Sequence, residues 1–333
     1  MKVPAIILVG AAAIMIAGGV RAEELKFAYI ADANEVGFAK VMKPWLEGVN
    51  SASDGKLTIV PYPSGALGRA LPQQSQMVLD GVADIAWVVA SASPGRFPDA
   101  AALELPGLYR NVTEATLINN RVATTMPLAG MEKFKVLAAF GSPPLSVFTT
   151  DAACDLASLH GKKLRVTTPS DGAVLAKLGA VPVQIPITEV TEALGRRTID
   201  GAVTHPQTLF DFGINRVTRC MDQMGLSSPL LLLLMNRDKY EALPVQMRDL
   251  LDQHSGETLA RAFAAAISAS STELEGKLSA TPGFVYVRPE GADAATLQAA
   301  FAQARADLLA KSPAAAAILD AVERERGQLP SQF

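Results

Sequence analysis

One segment of the sequence, residues 161–201, constrains the fold more than any other. It reads GKKLRVTTPSDGAVLAKLGAVPVQIPITEVTEALGRRTIDG. The pattern predicts a strand that ends at Arg165, a helix, a strand over residues 181–185, a second helix, and a third strand from Ile199. Such a unit builds an open α/β sheet and places the cation of Arg165 at a strand end, beside a helix start. Small anionic ligands bind at such strand ends.

The same alternation of strands and helices occurs nearer the N-terminus, which predicts a second α/β unit. Strands are predicted over residues 25–30, 57–62, 84–89, 134–140 and 145–149, with helices over residues 37–49 and 73–81. This order predicts parallel sheets with helices on both faces. The expected fold class is therefore α/β, with two lobes joined by crossing segments.

The C-terminal half contains a buried strand and long helices. The apolar run PLLLLLM, residues 229–235, is typical of a strand buried on both faces, and it could return to the first lobe. Residues 244–279 contain almost no helix breakers, which predicts one long helix, or two with a kink near Ser255 and Gly256. A strand over residues 284–287, a helix over residues 292–309, and a short helix with a tail complete the chain.

Residues 1–22 are typical of a secretory signal peptide. Met1 and Lys2 give a weakly positive start, an almost wholly apolar stretch follows, and Ala22 offers a small residue for cleavage. A retained membrane anchor is the alternative. The apolar stretch is shorter than the ~20 residues that a comfortable membrane span needs. We therefore expect an exported protein that is cleaved near Ala22.

Composition and motifs exclude several classes of function. The chain has 333 residues, a net charge of −3 and a pI near 5.7, which argues against nucleic acid as a partner. Motifs for nucleotides, zinc and nucleophilic serine are absent from the sequence, so we expect no catalytic residues, no cofactor and no metal. The two cysteines, Cys154 and Cys220, could form a disulfide in an exported protein or remain free buried thiols.

A few polar residues near the predicted sheet edge have two interpretations. His205 follows the third strand of the 161–201 unit, at the rim where Arg165 should emerge. It could contact a ligand, or it could be a partly buried histidine with satisfied hydrogen bonds. Glu189 and Asp200 could be read as an acid/base pair. A helix start and a tight turn explain them better.

Short motifs in a fixed order resemble a known family. Behind the signal peptide come LKFAYI, YPSGALG, GVADIAWV, LPGLY, GKKLRV, LGAVPVQIP, EVTEAL, IDGAV and LLMNRDKYEALP. Together they resemble the DctP-type solute-binding proteins of TRAP (tripartite ATP-independent periplasmic) transporters. The resemblance runs through most of the mature chain.

The resemblance implies a two-lobed, periplasmic-binding-protein-like fold with a ligand cleft between the lobes and a long helix spanning both. Lobe I would comprise residues 23–147 plus about 236–275, and lobe II residues 148–235 plus about 276–333. The implied protein is a periplasmic monomer that closes by a hinge motion over a small-molecule carboxylate and delivers it to the membrane subunits of a TRAP permease. A receptor for another importer or a sensor, or an enzyme on the same frame, is the alternative.

The resemblance also assigns Arg165 to the ligand carboxylate, because a guanidinium offers a planar fork of donors. An internal salt bridge is the alternative role. Matching of strand ends gives the other candidate ligand-binding residues: Ile30, Trp87, Val89, Ser91, Leu145, Ile187, Thr204, His205 and Phe210. Leu145, Val89 and Ile30 are apolar where family receptors for sugar acids carry polar groups. We therefore expect a monocarboxylate with an aromatic or branched aliphatic body, such as a branched oxo acid.

Overall fold

Two mixed β-sheets organise residues 22–330, the part of the chain that the computed structural model describes. The strands are β1 (Glu23–Ala28), β2 (Leu57–Tyr62), β3 (Ile85–Val89), β4 (Phe134–Gly141), β5 (Ser146–Thr149), β6 (Lys163–Arg165), β7 (Val181–Val183), β8 (Gly201–Thr204), β9 (Cys220–Asp222), β10 (Leu230–Asn236) and β11 (Val285–Val287). The first sheet has the order β2-β1-β3-β10-β4, and the second has the order β11-β9-β5-β8-β6-β7.

Helices pack on these sheets. They are α1 (Lys43–Ala52), α2 (Gln74–Leu79), α3 (Ala100–Leu103), α4 (Val112–Thr125), α5 (Pro169–Lys177), α6 (Val190–Gly195), α7 (Pro206–Asp211), α8 (Arg237–Ala242), α9 (Val245–His254), α10 (Gly256–Ser279), α11 (Gly291–Lys311) and α12 (Pro313–Gln328). Within residues 22–330 none of these helices combines the length and apolarity that crossing a bilayer requires. The predicted signal peptide lies outside this range, apart from Ala22.

The prediction of purely parallel sheets is wrong, because each sheet contains one strand of opposite direction. β10 runs antiparallel to β3 and β4, and β5 runs antiparallel to β8 and β9. These are the strands that enter each sheet from the other lobe, so they start at the edge where their neighbours end. β10 lies in the first sheet, whereas the expected boundary counted residues 148–235 with lobe II. The boundary at residue 147 likewise falls within β5.

Two crossing segments, residues 141–146 and 226–230, join the sheets and pair with each other. Ser142 N–H donates to Pro229 O at 3.1 Å, and Leu145 N–H donates to Ser227 O at 2.9 Å. The start of β5 lies opposite the end of β8, and the start of β10 lies opposite the end of β4. The carboxyl ends of the parallel strands in both sheets therefore lie on the sides where the crossing segments enter, and they face one another.

Of the two alternatives for residues 244–279, one long helix or two with a kink, the structure has two helices. The helical run breaks at Ser255 into α9 and α10, and α10 packs on α4 and β4 of the first lobe and on α7 after β8. At the chain end α12 has 16 residues and packs on α3 and α4, so it is longer than the short helix expected there. Since α11 packs on α5 of the second lobe, the chain crosses between the lobes once more between α11 and α12.

Cores on both faces of each sheet stabilise the lobes. Leu233 of β10 packs with Phe27 of β1 in one core, while its neighbour Leu232 packs in the core on the other face. In the second lobe Cys154 and Cys220 are fully buried and form a disulfide, with their Cα atoms 6.0 Å apart. Of the two alternatives that the sequence left open, the structure has the bonded one.

Candidate ligand-binding site

Arg165 lies at the edge of the second sheet that faces the first lobe. It is the last residue of β6 and pairs with Val183 of β7 and Ala202 of β8, both parallel neighbours. Thr168 then begins the next element, because its hydroxyl caps α5 by accepting a hydrogen bond from Asp171 N–H. The chain thus turns immediately after Arg165, which leaves the side chain at the strand end.

Three acceptors hold the Nε and Nη1 atoms of the guanidinium in place. Nε donates to Ile185 O at 3.3 Å, and Nη1 donates to Thr167 Oγ1 at 2.8 Å and to Val203 O at 3.4 Å. The other terminal nitrogen, Nη2, makes no hydrogen bond with any residue that the structure describes. The protein therefore uses the donors of Nε and Nη1, while the two donors of Nη2 remain available.

The charge of Arg165 has no carboxylate partner within 4.0 Å among residues 22–330. Burial lowers the pKa of its guanidinium to about 10, and the nearby charge of Asp171 opposes that effect. The group remains a cation at neutral pH in a partly desolvated position. The internal salt bridge that the sequence allowed is not formed with the described residues, and an anionic group would stabilise the site.

Thr204 and His205 lie at the same edge, one strand further along the sheet. Thr204 is buried at the end of β8, and His205 lies immediately before the first residue of α7. Both ring nitrogens of His205 have partners, because Nδ1 lies 3.0 Å from Gln207 Oε1 and Nε2 lies 3.1 Å from Thr208 Oγ1. Burial lowers the pKa of His205 to about 4. This arrangement favours a neutral histidine with satisfied hydrogen bonds over one that donates to a ligand.

The candidate residues of the first lobe lie at the carboxyl ends of β1 and β3. Ile30 follows β1, Val89 ends β3, and both side chains are half-buried. Trp87 lies deeper: it is 6% exposed and packs against Phe140, with ring centroids 5.1 Å apart. Ser91 follows β3 in a short helical turn, with a buried hydroxyl. The structure therefore brings Ile30, Val89 and Ser91 to one edge, above an aromatic core that contains Trp87.

The remaining candidates differ in exposure. Ile187 and Phe210 are half-buried and pack against the core under α6 and α7. Leu145, which precedes β5, is only 1% exposed and packs with Val147 and Leu164. Its placement suits a core residue better than a wall of an open cleft.

Sequence reasoning missed several residues at these edges. Thr167 holds Arg165, and Leu231 of β10 is half-buried beside Val89, its partner in the ladder. Glu104 and Asp171 are buried carboxyl groups beside the crossing segments. Thr167 follows Arg165 closely enough to have been considered. Leu231 belongs to a uniform leucine run, and the sequence of that run does not indicate which side chain lies at the edge of the first sheet.

A separate groove of about 670 Å³ lies on the first lobe, between the end of α4, the start of β4 and the break at Ser255. It does not include Arg165. Two of its cations, Arg121 and Lys135, already form ion pairs with Glu257 and Asp252. We therefore place the candidate site at the facing sheet edges, where a cation lacks a partner.

Comparison with known families identifies the group to which this architecture belongs. The profile of the DctP family, described as bacterial extracellular solute-binding protein, family 7, matches residues 27–312. The chain belongs to this family. Its members are receptors that bind solutes for transport, and the family is not one of enzymes.

Solved structures of TRAP solute-binding proteins share the fold. One from a marine metagenome, specific for aromatic acid ligands and bound to 3-hydroxybenzoate, is 28% identical; 92% of this chain and 98% of that chain are covered, with a TM-score of 0.83. One from Rhodoferax ferrireducens with copurified benzoate is 25% identical, with coverage of 92% and 98% and a TM-score of 0.81. One from Bordetella bronchiseptica with bound mandelate is 22% identical, with coverage of 92% and 99% and a TM-score of 0.82, and supports the fold alone. The expected two-lobed α/β fold is confirmed.

Proposed function

We propose that this DctP-family protein is a periplasmic receptor that binds an organic monocarboxylate through Arg165 and delivers it to the membrane subunits of a TRAP permease. The observation that carries the proposal is the half-buried guanidinium of Arg165, whose Nη2 has no hydrogen-bond partner in the described chain. A carboxylate accepts from the free donors of Nη2, and the partly desolvated position strengthens the contact.

The apolar side chains at the facing edges support an aromatic or branched aliphatic body for the ligand. Ile30, Val89 and Leu231 are half-buried at the first edge, and Ile187 and Phe210 are half-buried on the second lobe. A second carboxylate placed against these groups would lose its hydration without gaining donors. Two solved relatives at 25% identity or more have 3-hydroxybenzoate and benzoate bound, which agrees with this ligand class.

Calorimetric titration with benzoate, 3-hydroxybenzoate, 3-methyl-2-oxobutanoate and succinate tests the proposal. We expect at least one monocarboxylate to bind and to bind more tightly than succinate. Arg165→Ala should weaken that binding by about 30- to 100-fold, because a charge-assisted hydrogen bond is lost. The affinity of Arg165→Lys should fall between those of the wild type and Arg165→Ala, since lysine keeps the charge and loses the planar set of donors.

Arg196→Ala is the matched control, because Arg196 is exposed and pairs only with Glu192 in the described chain. Its affinity should equal that of the wild type. Unfolding temperatures without ligand check that each variant is folded. Equal affinity of wild type and a folded Arg165→Ala variant would remove Arg165 from the site, and a preference for succinate would overturn the monocarboxylate assignment.

A further inference from the structure

Two buried carboxyl groups hold the crossing segment that returns from the second lobe to the first. Asp171, in the first turn of α5, is fully buried, and Glu104, which follows α3, is 4% exposed. They come from different lobes, and both contact residues 227–230. Buried carboxyl groups require hydrogen-bond donors, so their partners are informative.

Asp171 contacts the second-lobe end of this segment through several donors. Its Oδ1 accepts from Ser227 N–H at 2.9 Å, and its Oδ2 accepts from Ser227 Oγ at 2.6 Å. Thr168 Oγ1 also donates to Oδ2, at 2.8 Å. These donors favour the ionised form of Asp171.

Glu104 contacts the first-lobe end of the same segment. Its Oε1 accepts from Leu230 N–H at 2.7 Å, at the first residue of β10. Ser91 lies beside this carboxyl and lowers its pKa, although its hydroxyl forms no hydrogen bond of normal geometry. The main chain of Glu104 also faces the second lobe, since Ser170 Oγ lies 3.4 Å from its carbonyl oxygen.

The two carboxyl groups are close enough to influence each other's ionisation. Burial and the charge of Asp171 together raise the pKa of Glu104 to about 8, although the hydrogen bond from Leu230 opposes the shift. Burial also raises the pKa of Asp171, which its several donors oppose. The other titratable groups that face the pair are Arg165, which interacts with Asp171, and Tyr109, which interacts with Glu104. Because Glu104 has fewer donors, it is the group that holds a proton.

We propose that Glu104 and Asp171 form a two-carboxyl clamp that holds residues 227–230 in the position that ligand binding at Arg165 requires. They are positioning residues, and the inference rests on the proposed function of Arg165. The clamp connects the ligand edge to the hinge, because Asp171 interacts with Arg165 and Glu104 lies beside Ser91 at the facing edge.

A bound carboxylate should favour the protonated form of Glu104. The ligand offsets part of the positive potential that Arg165 supplies, and it adds a negative charge near the clamp. Binding is therefore accompanied by proton uptake when Glu104 is partly ionised. The affinity for an anion falls as pH rises and Glu104 becomes charged.

The experiment uses benzoate and calorimetry between about pH 6.5 and 9, a range in which benzoate stays ionised. Wild-type affinity should fall about 3- to 10-fold over this range, as expected for two charges separated by roughly 10 Å in a partly screened site. Titrations in two buffers of different ionisation enthalpy should show proton uptake near pH 8. Glu104→Gln keeps an acceptor for Leu230 N–H, and its affinity should stay near the low-pH value of the wild type. Glu132→Gln, at an exposed glutamate, should behave as the wild type.

A measurement without ligand separates failure of this inference from failure of the proposed function. Because the pKa of Glu104 is raised in the folded protein, folding favours the protonated form of this side chain. The stabilisation is fully present below the ordinary pKa of a glutamate, and it is lost as pH rises towards about 8. The urea midpoint of the wild type should therefore fall relative to that of Glu104→Gln between about pH 5 and 8. Parallel urea midpoints would overturn the clamp even if no benzoate binds. The clamp would also be overturned if benzoate bound without proton uptake and with an affinity that did not depend on pH.

Discussion

At the residue scale, the position of Arg165 was visible in the sequence, but most of the atoms that orient its side chain were not. Arg165 ends a strand in a recognisable motif, so its position at a sheet edge could be predicted. Its orientation depends on Ile185 O and Val203 O, which are backbone atoms of neighbouring segments, and on Thr167 Oγ1. The two backbone contacts arise only when separate strands assemble, so no local pattern could reveal them, whereas Thr167 lies two residues after Arg165.

Thr167 should therefore be a positioning residue for the ligand. Its hydroxyl accepts from Arg165 Nη1 and donates to Val203 O at 2.9 Å, which links the cation to β8. Thr167→Val keeps the shape and loses both hydrogen bonds, and it should weaken benzoate binding about 3- to 10-fold. Thr167→Ser keeps the hydroxyl and should bind like the wild type. Calorimetry measures the affinity of both variants for benzoate. Equal affinities of Thr167→Val and Thr167→Ser would contradict the positioning role.

At the level of elements, the number and order of most strands could be predicted, but the direction of two could not. The run at β10 was correctly predicted as a buried strand, yet its place between β3 and β4 depends on the crossing segments. The sequence records hydrophobicity and length, and both are the same for a parallel or an antiparallel neighbour. The path of the chain between the lobes decided the directions of β5 and β10.

Strand β9, next to the edge strand β11, carries a carboxyl group that predicts a dependence of stability on pH. Asp222 is fully buried, and neither carboxyl oxygen has a hydrogen-bond partner among the described residues. Burial raises the pKa of Asp222 to about 7, and the charges of Asp155 and Asp293 add to the shift. Because the pKa is raised, folding favours protonated Asp222, and the stability that the protonated form contributes is lost as pH rises towards about 7.

The variant Asp222→Asn should therefore gain stability relative to the wild type as pH increases. We expect the difference between their free energies of unfolding to change by about 2 to 3 kcal/mol between pH 5 and 8. Any cost of burying the amide that does not depend on pH changes the free energy of unfolding equally at pH 5 and pH 8, so it does not affect this comparison. Asp155→Asn, at an exposed position, should show a much smaller change. Urea unfolding at the two pH values measures the effect, and a difference that is independent of pH would contradict it.

At the scale of the whole molecule, the lobes are joined by more than the paired crossing segments. Gln207 of α7 is 3% exposed, and its Nε2 donates to Ile267 O at 3.1 Å and to Ser271 Oγ at 2.8 Å, both on α10. Because α10 also packs on α4 and β4, this contact links the ligand edge of the second lobe to the first lobe. The His205 ring extends the link, since Nδ1 lies 3.0 Å from Gln207 Oε1.

Removing this link should loosen the lobes relative to each other. Gln207→Ala should lower the free energy of unfolding by about 1 to 3 kcal/mol, because buried groups on α10 lose their partner. It should also increase the radius of gyration of the ligand-free protein in X-ray scattering, while benzoate-saturated protein approaches the wild-type value. Gln253→Ala, at an exposed glutamine of α9, is the matched control and should change neither quantity. If Gln207→Ala gave scattering identical to the wild type without ligand, the lobes would be held by the crossing segments and the packing of α10 alone.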